Sequence, residues 1–105
     1  MFKIQPNPTF NLTVKVPTPG EAPQSLKLLC HYKDEEQARE FLARAIEAEG
    51  QGERADLTEI VAGWEDVDEE FSPEALKRLL RNYGGAGRAI FQAYLDELQG
   101  QRRGN

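Results

Sequence analysis

The sequence predicts a single small α+β domain, an N-terminal antiparallel β-hairpin followed by about four α-helices. Three observations lead there. Two stretches near the N-terminus alternate apolar and polar residues with a period of two. From residue 34 onward the apolar spacing switches to i, i+3, i+4. The two patterns are segregated along the chain, which separates this class from one in which strands and helices alternate.

Residues 1–9, with Pro6 and Pro8, read as an extended lead-in, and the hairpin is expected over residues 10–32. Phe10, Leu12, Val14 and Val16 alternate with Asn11, Thr13 and Lys15, the signature of a strand with one buried face. Residues 17–24 hold three prolines and a glycine and form a loop. Leu26, Leu28, Cys30 and Tyr32 alternate with Ser25, Lys27 and His31 in a second strand. Leu29 falls on its polar face and suggests that this face is partly covered. A lone hairpin is marginal in water, so helices must cover it or further strands extend it.

The helical part is expected over residues 34–99. Asp34 with Gln37 three residues later is a capping-box pair, and Ala38, Phe41, Leu42, Ala45 and Ile46 make one apolar stripe. Gly50 and Gly52 stop this helix. Asp56 with Glu59 opens a second, shorter helix whose face is Leu57, Ile60, Val61 and Trp64. Residues 65–70 follow as an acidic connector. Ser72 caps a third helix, with Pro73 in its first turn and a stripe of Ala75, Leu76, Leu79, Leu80 and Tyr83. The last helix runs from about Gly87 to Gln99, with Ile90, Phe91, Tyr94, Leu95 and Leu98 inward, and residues 100–105 read as a frayed tail. The expected core is the hairpin's apolar face against the first helix, with the C-terminal helices beside it.

A chain of 105 residues is one domain's worth, and it carries a net charge of −5. That average hides segregation: residues 1–33 carry +3, residues 34–74 carry −12, and residues 75–105 carry +4. An acidic middle repels phosphate backbones and attracts basic protein surfaces. Cys30 is the only cysteine, so no internal disulfide forms, which suits a reducing compartment. No stretch reaches the ~20 apolar residues of a membrane span, and the N-terminus lacks a signal-peptide pattern. A soluble cytoplasmic protein without a membrane or nucleic-acid partner is the expectation.

The residues offer little for catalysis. His31 is the sole histidine and adjoins Cys30, but neighbours on a strand point to opposite faces, so they do not form a nucleophile and base. A zinc site needs several Cys and His at set spacings. Glu65, Asp66, Asp68, Glu69 and Glu70 lack the glycine-centred pattern of a calcium loop. Gly84, Gly85 and Gly87 precede a helix but lack the lysine and hydroxyl of a phosphate-binding loop. No catalytic residue, metal or cofactor is therefore expected. Trp64, Phe71, Tyr83 and Tyr94 sit at apolar positions, and together with Glu65, Asp66, Asp68, Glu69 and Glu70 they are the candidate partner-contact residues. A strand left at a sheet edge offers self-association, making a homo-oligomer a further expectation.

The run GWEDVDEEFSPEALKRLLRNY, then AIFQAYLDEL and the terminal GN, resembles the tail assembly chaperones of long-tailed bacteriophages. The shared features are Gly63-Trp64, the acidic connector, Phe71-Ser72 opening a helix, Leu79-Leu80, Tyr83, and Ala93-Tyr94, in that order. Relatives often carry proline after the aromatic where Gly84-Gly85 follows Tyr83 here, and either choice stops a helix. The resemblance implies a non-catalytic protein of the host cytoplasm that binds the tape measure protein and helps recruit tail tube subunits. It also implies absence from the finished virion. The alternative that the −12 segment supports is an acidic inhibitor or nucleic-acid mimic, or a general protein-interaction module.

Overall fold

In the computed structural model, which describes residues 1–100, three strands and three α-helices form two layers. Strands β1 (Thr9–Val16) and β2 (Gln24–His31) make the expected antiparallel hairpin, in register from Thr9↔His31 to Val16↔Gln24. Leu12, Val14 and Val16 of β1 and Leu26, Leu28 and Cys30 of β2 all face inward. Within the connecting loop, the Glu21 amide donates to the Thr18 carbonyl at 3.1 Å. Pro19 and Gly20 occupy the centre of this turn, and Gly20 has a φ of +78°, the type II geometry that favours glycine at the third position.

Helix α1 (Glu35–Gly50) begins as its sequence dictates. Asp34 Oδ1 accepts from the Gln37 amide at 2.8 Å, and Gln37 Oε1 accepts from the Asp34 amide at 3.0 Å, completing the capping box. Phe41 and Ala45 are buried, but Ile46, expected inward, is 62% exposed. The stripe of five apolar residues is wider than the face that α1 turns to the core.

The helix expected after Asp56 does not form. Only Leu57–Glu59 make a single 3-10 turn, which Asp56 caps through the Thr58 amide at 3.1 Å. Glu59 does not act as the second half of a capping box; it is held by Lys33 at 2.8 Å and by Arg44. The chain then enters a third strand, β3 (Val61–Glu65), antiparallel to β2 in a sheet of order β1-β2-β3. A bulge explains why the sequence reads otherwise. Cys30 pairs with Val61, Leu29 with Gly63 and Leu28 with Trp64, leaving Ala62 as the extra residue. Val61 and Trp64 thereby share the inner face although three residues apart, a spacing that imitates a helix.

Helix α2 (Pro73–Asn82) is capped by Ser72, whose Oγ accepts from the Ala75 amide at 3.0 Å, with Pro73 in its first turn. A tight turn at Gly84 and Gly85 leads to α3 (Ala86–Leu98). A β-carbon on Gly85 would stand 3.1 Å from the Pro17 ring, so this glycine lets α3 start against the end of β1. Helix α3, rather than α1, lies along the hairpin, and Ala86, Ile90 and Tyr94 are fully buried beneath it. Phe41, Leu57, Ile60 and Leu76 complete the core. All helices lie on one side of the sheet. The other side stays open: Asn11, Thr13, Lys15, Ser25, Lys27 and His31 are exposed, and Leu29, expected under partial cover, is 38% exposed. Of the tail expected at 100–105, residues 101–105 lie outside the described part.

Candidate protein-binding surface

Trp64, next to last in β3, lies on the inner face because it pairs with Leu28. Its indole Nε1–H donates to the Glu69 carbonyl at 2.8 Å, and its ring meets Phe71 edge-on with centroids 5.1 Å apart. This anchor folds residues 65–70 back over the end of the sheet. Asp66 turns the chain with a φ of +60°, a region that aspartate tolerates better than most residues. Lys27 lies 3.9 Å from Asp66, and Arg78 of α2 pairs with Glu69. Glu65, Asp66, Asp68, Glu69 and Glu70 are all exposed, so their charge faces outward from an ordered loop. A half-buried Val67 tucks beneath it.

Beside the loop, a shallow cleft of about 480 Å³ runs between the hairpin end and α2, lined by Trp64, Asp66, Glu69, Arg78, Leu79 and Tyr83. The structure therefore brings eight of the nine candidate residues to one end of the molecule: Trp64, Glu65, Asp66, Asp68, Glu69, Glu70, Phe71 and Tyr83. Tyr94 stands apart. It is fully buried, donates its hydroxyl to the His31 carbonyl at 2.7 Å, stacks on Phe10 at 5.8 Å and meets Phe41 edge-on at 6.3 Å. It is a core residue.

The molecule has a second apolar surface. Leu42, Ile46, Leu57, Leu80 and Phe91 border a groove of about 390 Å³ between α1 and α3. The signal for it is the over-wide stripe of α1. Met1, Phe2 and Ile4 are also almost fully exposed in the lead-in.

Cys30 and His31 do point to opposite faces, Cys30 buried and His31 exposed. Burial pushes the Cys30 thiol up from 9.0 to about 12, which keeps it protonated and weakly nucleophilic. Among the described residues, no three of His, Cys, Asp and Glu converge to hold a metal ion, and no helix is long and apolar enough to cross a membrane.

Fold and surface together define a small two-layer α+β protein with an ordered acidic end. The family profile of phage tail assembly chaperones matches residues 1–105, and the chain belongs to that family. No curated protein and no solved structure is significantly similar to it.

Proposed function

We propose that this chaperone works without catalysis in the bacterial host cytoplasm, binding the tape measure protein and helping tail tube subunits assemble around it. The observation that supports the reading is the Trp64–Phe71 anchor, which holds five outward-facing carboxylates in a fixed loop beside a partly apolar cleft. A long helical rod with exposed apolar stripes aggregates until the tube encloses it. Reversible cover needs contacts that are individually weak and numerous. An acidic loop that recognises basic residues on the rod supplies orientation, the neighbouring cleft accepts an apolar side chain, and many copies along one rod add avidity. Because the loop is already ordered, binding loses little conformational freedom.

The test is co-expression with a tape measure protein from the same phage or prophage. The wild-type chain should keep that protein soluble and co-purify with it. Glu65, Asp68 and Glu70 lie outside the ion pairs that Asp66 and Glu69 make. The triple variant Glu65→Gln/Asp68→Asn/Glu70→Gln should therefore stay folded yet lose most of the association. Equal recovery with the variant would discard this surface; no recovery with wild type would discard the reading itself.

A further inference from the structure

We propose that the open edge of β1 is a pairing site for β1 of a second copy, so that two sheets join into one six-stranded sheet about a two-fold axis. This inference stands apart from the identity of any tail partner. It begins with where the backbone groups of β1 point. In an antiparallel pair, successive residues alternate between bonding to the neighbour and facing away from it. The Tyr32 amide donates to the Pro8 carbonyl at 2.8 Å, in register with the hairpin, so the even-numbered residues of β1 bond to β2. The His31 amide donates to Ile60 on the other side, consistent with odd-numbered residues of β2 bonding toward β3. Thr9, Asn11, Thr13 and Lys15 therefore direct their N–H and C=O groups outward from the sheet's edge.

The two edges are built differently. β3 is five residues long, bulged at Ala62 and turned away at Asp66, which are devices that blunt an edge. β1 is eight residues long and pairs without a bulge; its prolines, Pro8 and Pro17, lie just outside it. Only one charged side chain, Lys15, sits within it. One register uses every outward group: centred on Leu12, it sets Thr9 against Lys15 and Asn11 against Thr13 of the second copy. No like charges meet in that register.

Charge selects a second copy as the occupant. Between β1 and α3 lies an open groove of about 750 Å³, floored by Ala89 and Ala93. Helix α3 runs antiparallel to β1, with Gly85 against Pro17 at one end and Tyr94 on Phe10 at the other. Arg88 consequently marks one end of the groove and Glu97 the other, while Lys15 bonds Ser25 on the outer face and Asp96 is buried. A two-fold axis through Leu12 reverses that order in the second copy, laying each basic end beside the partner's acidic end.

Sedimentation across a concentration series, with amide exchange followed by NMR, tests this. Wild type should dimerise reversibly, and the amides of Asn11, Thr13 and Lys15 should gain protection with concentration while Leu12 and Val14 stay protected throughout. Thr13→Pro removes an outward donor without touching the β1–β2 ladder, and should be a folded monomer. Arg88→Glu should weaken the dimer about tenfold, since its contact occurs twice, and adding Glu97→Arg should restore it. A wild type that stays monomeric, or a dimer whose protection maps elsewhere, overturns the proposal. So does a folded Thr13→Pro variant that still dimerises. If that variant unfolds, the wild-type exchange pattern decides alone.

Discussion

Tyr94 carries more of this fold than its place in an apolar stripe suggests. It packs between Phe10 and Phe41, and its hydroxyl satisfies the carbonyl of His31 across a separation of 63 residues. Tyr94→Phe keeps the packing and leaves that carbonyl one partner short, so urea denaturation should show a loss of about 1 kcal/mol. Cys30 contributes a pH dependence. Its thiol is pushed up to about 12 by burial, and Tyr94 is also pushed up, by burial first and then by nearby negative charge. Between the unfolded and folded values the native state binds more protons, so stability is whole below pH 9 and falls as pH rises toward 12. Cys30→Ala removes one of the two contributors and should flatten that decline by up to ~1.4 kcal/mol per pH unit, seen in denaturation curves taken across this range.

Caps and periods decide the elements, and they differ in how reliably they read. Ser72 and Asp34 announce helix starts because their side-chain oxygens satisfy amides only three residues away, a local geometry that needs no tertiary context. Ser72→Ala should cost about 1 kcal/mol in thermal or urea unfolding, because the Ala75 amide loses its acceptor. Asp56 caps as well, yet what it caps is one 3-10 turn. A cap fixes where a turn begins and says nothing about its length. The bulge at Ala62 then imposed a three-residue interval on inward-facing residues of a strand, and that interval belongs equally to a helix. Gly63 argues locally against a helix but favours a strand no more.

At the scale of the molecule, charge and layer order matter most. The acidic segment divides mainly between α1 and the 65–70 loop, and Arg78 of α2 pairs with Glu69 of that loop. Binding through the three neutralised carboxylates should weaken steeply with added salt, whereas the same substitutions should shift stability by no more than about 0.5 kcal/mol because they are exposed. Comparing salt-dependent co-purification with the melting curve separates these effects. Layering the helices on one side leaves the outer sheet face and the β1 edge bare.

The hairpin, the helices capped by Asp34 and Ser72 and the charge segregation were legible in the residues, since each depends on neighbours within a few positions. Tertiary structure alone assigned β3 to the sheet, set α3 rather than α1 against the hairpin, and left Tyr83 half-buried beside the cleft. An apolar residue states that it will be covered; which partner covers it is settled only by competition among faces distant in the chain. Pairing Val61–Glu65 with β2 satisfies backbone groups and buries Val61 together. No pattern within those five residues records that both rewards come from a strand folded some thirty residues earlier.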